Sequence, residues 1–140
     1  MKKVFLLFVA SFLFLSCSND DDTVIAALVT EGDVVGKWEV AHLEKSSGDS
    51  TEILRGFVFE FKINNELVVT NESELFTIEG SWRILESKRG LQILIPTKND
   101  PLRMFQNTWN LNSLTSLNIS LSGLSNDLNG NMEHVNFEKL

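Results

Sequence analysis

Cys17 is the only thiol in the 140-residue chain, and its surroundings limit the chemistry open to it. A single cysteine has no partner for an intramolecular disulfide and stands outside any cluster of metal ligands. It follows Ser16 and the apolar run Val4–Leu15, and Lys2 and Lys3 precede that run. A basic start, a short apolar core and a small residue at the break are typical of a secretory signal. We therefore predict a signal peptide over residues 1–16.

The residues that end this segment suggest what happens to the thiol. Residues 13–17, LFLSC, resemble the lipobox of bacterial lipoproteins, with Phe14 where leucine is usual. The resemblance implies that Cys17 is lipidated, becomes the new N-terminus and anchors the chain in a membrane. Residues 17–22, CSNDDD, resemble the acidic surface-export signal of Bacteroidota lipoproteins. The expected location is then the outer membrane, on the cell surface, and the alternative for Cys17 is a buried core thiol.

The charge of the chain limits the partners it can have. Removal of residues 1–16 takes two of the 12 basic side chains and none of the 19 acidic ones, so the net charge falls from −7 to −9. Phosphate backbones need clustered Lys and Arg, so no nucleic-acid partner is expected. Attachment to a membrane would come from acyl chains, with residues 17–23 as an acidic tether and residues 24–140 as one domain.

Other residues that could do chemistry are not arranged for it in the sequence. His42 and His134 are far apart and neither lies in a spaced cluster with carboxylates, so no metal site is expected. Glu39, Glu60 and Glu79 fall on predicted strands, where alternation places Glu39 and Glu60 opposite the aromatic face. We expect no enzyme activity and no cofactor.

The segments that position these residues are mainly strands. Apolar residues recur with a period of two from Gly36 onward, most clearly at Phe57, Phe59 and Phe61. About eight short strands separated by turn residues predict an all-β, antiparallel fold, either an up-and-down barrel or a sandwich. Residues 23–35 predict a short helix or helical turn that Gly32 interrupts, with a loosely ordered linker as the alternative.

The order of the aromatic motifs adds a resemblance. Gly36-Lys37-Trp38 opens the first strand and resembles the G-x-W motif of lipocalins, and more closely that of small lipocalin-like lipoproteins of Bacteroidota. An aromatic strand with an Asn turn (57–65), a Gly-x-Trp strand (80–82), a late Trp strand (109–111) and a closing strand (134–139) follow in the same order. The resemblance covers roughly residues 34–140 and implies an up-and-down barrel of about eight strands.

The resemblance also implies a site at one end of the barrel. Trp38 is bulky enough to close the base. In lipocalins a late basic side chain packs across this ring, and Lys139 is the matching residue, with Arg83 and Arg103 as alternatives. Gly36 belongs to the same motif.

The remaining rings leave two functions open. Six side chains are expected to point into the barrel: Phe57, Phe59, Phe61, Trp82, Trp109 and Phe137. If they line a pocket, the protein binds a small apolar or amphipathic ligand without catalysis. If they fill the interior, the barrel is a protein–protein interaction module, either an accessory subunit of the envelope or an inhibitor.

Overall fold

The computed structural model describes residues 29–87, 89–126 and 129–140. The predicted signal peptide (1–16), the predicted lipidation site Cys17 and the predicted tether to residue 23 lie outside the described residues. Within the described part, one short α-helix, two 3₁₀ helices and nine strands succeed one another. The helices are α1 (Glu31–Val34), η1 (Thr51–Leu54) and η2 (Leu102–Phe105). The strands are β1 (Gly36–Lys45), β2 (Gly48–Asp49), β3 (Phe57–Phe61), β4 (Glu66–Asn71), β5 (Phe76–Ile84), β6 (Gly90–Leu94), β7 (Asn107–Leu114), β8 (Asn118–Leu124) and β9 (Met132–Lys139).

The sheet closes on itself. Eight strands pair with their neighbours in the order β1-β3-β4-β5-β6-β7-β8-β9, and β9 pairs again with β1. Every pairing is antiparallel, and Trp38 lies opposite Lys139 where the barrel closes. The two-residue β2 pairs only with β1 and lies outside this closure. The predicted all-β, up-and-down barrel of about eight strands is therefore confirmed.

Alternation along the strands separates the core from the surface. In β3, Phe57, Phe59 and Phe61 are buried, whereas Val58 and Glu60 are half-buried. The buried residues of the other strands face the same interior and form one hydrophobic cluster. We call the end at which β1 begins and β9 ends the base. The far end holds β2, η1 and η2.

The short helix enters the barrel at the base. Thr30 precedes α1, and both its backbone N–H and its hydroxyl donate to the Asp33 carboxylate at 2.8 Å. This contact fixes the first turn as a capping residue does. Gly32 lies inside α1 and does not interrupt it, so the predicted helical turn is confirmed but its expected break is wrong.

Two expectations about strands differ from the structure. The sequence pattern over Phe105–Leu111 predicts one strand, but in the structure η2 ends at Phe105 and β7 begins at Asn107, since η2 turns the Phe105 ring into the barrel. Ile63 continues the alternation of β3 in the sequence, yet it lies in the β3–β4 turn and is 76% exposed. Alternation does not show where a strand stops, and here β3 ends at Phe61, two residues before Ile63.

Candidate functional site

The base of the barrel is closed by Trp38. Its side chain is fully buried, and its indole N–H donates to the Val34 carbonyl at 2.8 Å. The acceptor lies at the end of α1, so one hydrogen bond joins the helix to the first strand. Because buried indole N–H groups need a partner, this bond fixes how the helix crosses the base.

Lys139 packs across the same ring. Its Nζ atom lies 5.1 Å from the centroid of the Trp38 ring and 3.3 Å from the Val35 carbonyl oxygen, to which it donates. A cation at this distance over an indole face is attracted by the ring quadrupole. The other two basic residues considered for this role lie elsewhere. Arg83 donates to Gln92 on the outer wall, and Arg103 lies beside Asp100 at the far end.

Gly36 makes the close approach of Lys139 possible. Its φ of +143° lies in a region that residues with a Cβ rarely adopt. A Cβ at this position would lie 2.7 Å from the Cε of Lys139 and 3.6 Å from the Nε1 of Trp38. The three residues Gly36, Trp38 and Lys139 therefore form one packed unit at the base.

The predicted interior rings are all buried. Their exposed fractions are 7% for Phe57, 0% for Phe59, 1% for Phe61, 2% for Trp82, 0% for Trp109 and 0% for Phe137. They pack ring against ring: Phe59 and Phe137 have centroids 5.3 Å apart, and Phe61 and Trp82 have centroids 5.5 Å apart. Both pairs meet edge to face, which is a favourable arrangement for aromatic rings.

Phe105 is the interior ring that sequence reasoning missed. It is fully buried, and its centroid lies 4.9 Å from Phe59, 6.0 Å from Trp109 and 6.0 Å from Phe137. It comes from η2, which also buries Leu102 and Met104. A single 3₁₀ turn has no alternation that would mark it as core, so only its apolar composition hinted at this role.

Two of the three interior tryptophans have their polar atom satisfied. One is Trp38, whose bond to Val34 is described above. The other is Trp82, which donates its indole N–H to the carbonyls of Lys62 and Glu66 at 3.0 and 3.1 Å. The Nε1 of Trp109 is buried without a hydrogen-bond partner. The ring lies so close to Gly123 that a Cβ there would approach its Cε3 to 2.9 Å.

A polar cleft of about 220 Å³ lies at the far end. Lys45, Arg103 and Glu133 are among the residues that line it. Glu133 is only 4% exposed and points to the same side of β9 as Val135 and Phe137. Side chains two residues apart on a strand face the same side, so the buried positions Val135 and Phe137 already indicate the orientation of Glu133.

The two histidines and the three carboxylates considered in the sequence lie outside the hydrophobic core. His42 has its Nε2 3.3 Å from a Glu44 oxygen and its Nδ1 3.9 Å from Asp49, and its side chain is 42% exposed. The Thr51 hydroxyl and the Thr51 backbone N–H both donate hydrogen bonds to Asp49 and hold its pKa below its usual value, and the hydroxyl has the larger effect. His134 is exposed, and so are Glu39 and Glu79, while Glu60 is half-buried.

The possible metal ligands form no cluster in the described part of the chain. Among residues 29–87, 89–126 and 129–140, no three His, Cys, Asp or Glu side chains are arranged to hold a metal ion. In the same residues, no helix is long and apolar enough to cross a membrane.

A second cleft lies on the outer wall near the base. Its volume is about 680 Å³, and it is lined by Glu31, Asn65, Ser81, Trp82, Arg83, Ile84, Gln92 and Leu94. The Asn65 amide donates to Glu31 at 3.0 Å, and the Arg83 Nε donates to Gln92 at 2.7 Å. Leu94 is 47% exposed, so the cleft places an apolar side chain near a guanidinium group.

Comparison with solved structures finds five matching chains. The chain is similar to a DUF4847 family protein from Bacteroides vulgatus, with 14% identity and a TM-score of 0.49 over 74% of this chain and 92% of that protein. No protein-family profile matches the sequence. No curated protein matches it either.

Proposed function

We propose that the mature protein is a lipid-anchored, noncatalytic protein of the bacterial cell envelope that binds a protein partner through the outer surface and loops of a filled barrel. The observation that carries this proposal is the packing of the interior. Phe59, Phe61, Phe105, Trp109 and Phe137 are at most 1% exposed and contact one another ring to ring. Rings packed against one another in this way leave little room for a ligand, so recognition falls to the surface.

Truncation of one ring tests whether the interior is filled. Phe105→Ala should create an apolar cavity, and such cavities stay dry and bind small apolar molecules such as benzene. We expect benzene to raise the melting temperature of Phe105→Ala but not that of the wild type. Phe76→Ala is the matched control, because this half-buried ring packs only against Phe57 among the aromatic contacts of the described residues. A wild-type protein that binds benzene stoichiometrically would contradict the filled interior.

The anchor is tested separately. The lipobox-like residues before Cys17 support acylation, and each buried methylene of an acyl chain contributes about 0.8 kcal/mol to membrane binding. Cys17→Ala should lose the lipid mass and leave the membrane fraction. The acidic run supports surface display, so protease added to whole cells should remove the domain, and replacement of residues 20–22 by Ala should protect it.

The partner is sought with protein taken from the envelope. Native mass spectrometry should show the lipidated chain together with a second polypeptide. A small molecule retained in stoichiometric amount, without a second polypeptide, would contradict the interaction module and favour ligand binding.

A second candidate function is the binding of a small amphipathic ligand in the outer cleft. The position of Arg83 near Leu94 and Ile84 favours it, because a ligand with an anionic group and an apolar tail would contact both kinds of side chain. Arg83→Gln should abolish the retention of such a ligand. Arg55→Gln is the matched control, since Arg55 pairs with Glu52 and does not line this cleft.

A further inference from the structure

Three exposed apolar side chains lie along one part of the rim at the base. Ile63 is 76% exposed, and Leu117 and Leu140 are each 63% exposed. Ile63 lies in the turn after β3, Leu117 lies in the turn before β8, and Leu140 follows β9. Large apolar side chains that are exposed at loop tips mark contact surfaces more often when they occur together.

The strand register shows that these three tips are close along the rim. The backbone N–H of Lys139 donates to the Leu117 carbonyl at 2.9 Å, and that of Leu140 donates to the Lys37 carbonyl at 3.0 Å. Lys37 in turn pairs with Glu60 on β3, the strand that leads into Ile63. Neighbouring strands lie 4.7–4.9 Å apart, so the step from β8 through β9 and β1 to β3 is about 14 Å.

The chain leaves the described structure at the same end. α1 lies against the base, with its Val34 carbonyl bonded to Trp38 and its Glu31 side chain bonded to Asn65 of the β3–β4 turn. The twelve residue steps from Cys17 to Val29 can span at most about 43 Å, since an extended chain advances 3.3–3.6 Å per residue. β1 has ten residues, so the far end lies roughly 30 Å from the base along the strand direction. A lipid attached to Cys17 therefore favours contact of the base with the membrane.

The charges around the tips are mixed. Lys37 and Lys139 are exposed on the same part of the rim, and Lys62 is half-buried and pairs with Glu66 at 2.7 Å. Glu31 and Asp33 of α1 lie at the same end. Long Lys side chains can extend their ammonium groups to lipid phosphates while apolar neighbours enter the interface. With acids also present, the apolar tips rather than net charge would hold the base to lipid.

We propose that Ile63, Leu117 and Leu140 form a membrane-docking rim that holds the base of the barrel against the bilayer surface. This inference rests on the proposed lipid anchor, which raises the effective concentration of the rim at the membrane so that a weak contact suffices. The far end, with η2 and the polar cleft, then faces away from the bilayer. A barrel that tumbles freely on its tether, or a protein partner on the rim, is the alternative.

The test places a fluorescent label on single positions of the full, lipidated chain. Ile63→Cys, Leu117→Cys and Leu140→Cys report the rim, and Leu75→Cys and Leu124→Cys report the far end, where the native leucines are 94% and 58% exposed. Each variant is reconstituted into phosphatidylcholine vesicles that contain a nitroxide-labelled lipid. Cys17 carries the acyl chain and does not react with the label.

We expect nitroxide lipid to quench most of the emission at the three rim positions and to leave the two far-end positions nearly unchanged. Flotation of the same vesicles separates the two proposals. If the chain floats but the rim labels are quenched no more than those at Leu75 and Leu124, the anchor holds and the docking rim is wrong. If the wild-type chain does not float, the anchor is wrong, and the docking rim that rests on it is overturned as well. Folding of each variant is checked by circular dichroism. In a chain labelled at Leu117→Cys, the additional change Ile63→Ser should lower the quenching of the label.

Discussion

Replacement of Trp38 by alanine is the sharpest test of the barrel base. The ring is fully buried, so its removal deletes a large side chain and leaves a cavity. Truncation of a buried aromatic ring to alanine typically costs about 3–5 kcal/mol. The loss of the indole N–H also leaves the Val34 carbonyl without its 2.8 Å donor, which adds about 1–3 kcal/mol if water cannot replace it.

Against a total stability of about 5–15 kcal/mol, this loss is large. We expect Trp38→Ala to unfold at a much lower urea concentration than the wild type, or to fail to fold. Lys139→Ala should cost only about 1 kcal/mol, because an exposed cation over an indole face contributes about 0.5–1 kcal/mol. Lys139→Met is the control, since it keeps most of the apolar stem and removes the charge.

The assay is urea unfolding followed by far-ultraviolet circular dichroism, which does not depend on the tryptophan that is removed. Where Trp38→Ala does not fold, Trp38→Leu takes its place in the double-mutant cycle. Residues in contact usually show coupling energies of about 0.5–3 kcal/mol. A Trp38→Ala protein that unfolds at the wild-type midpoint would refute the account of the base. A coupling energy near zero would leave Trp38 as the buried plug but would show that Lys139 does not stabilise it.

Two further predictions concern Gly80 and Asp33. A Cβ at Gly80 would overlap the Leu94 carbonyl oxygen, so Gly80→Ala should lower the unfolding free energy by about 1–3 kcal/mol. Gly32→Ala is the control, because its Cβ would have its nearest contact at 3.6 Å, and it should leave the unfolding free energy unchanged or raise it. Equal urea midpoints for the two variants would contradict this prediction. Hydrogen bonds from the Thr30 backbone N–H, which contributes most, and from the Thr30 hydroxyl hold the pKa of Asp33 below its usual value. Because the folded pKa is the lower one, the stabilisation is present above about pH 4 and is lost as the pH falls through the folded pKa. Asp33→Asn should flatten the acid limb of urea midpoints against pH, and an unchanged limb would show that the cap does not contribute.

The period of two predicts the antiparallel strands because it survives wherever one face of a strand is buried, as at Phe57, Phe59 and Phe61. It left a barrel and a sandwich open, and the resemblance to lipocalins favoured the barrel and matched Lys139 to Trp38. Phe105 could not be found in this way, since it reaches the core from a 3₁₀ turn and two of the rings it contacts, Phe59 and Phe137, lie 46 and 32 residues away in the chain. Contacts of that kind depend on closure of the whole sheet.

The choice of aromatic residues itself favours a filled interior. The chain has ten Phe and no Tyr, and four of the Phe lie in the predicted signal peptide. Of the six that follow, five are buried in the barrel and Phe76 is half-buried against Phe57. A Tyr hydroxyl inside a barrel needs a hydrogen-bond partner, which a bound ligand or ordered water would supply, whereas Phe needs none and packs against other rings. The lack of Tyr therefore fits a core whose rings contact one another, and it supports the proposal that the outer wall and the loops, rather than the interior, recognise a partner.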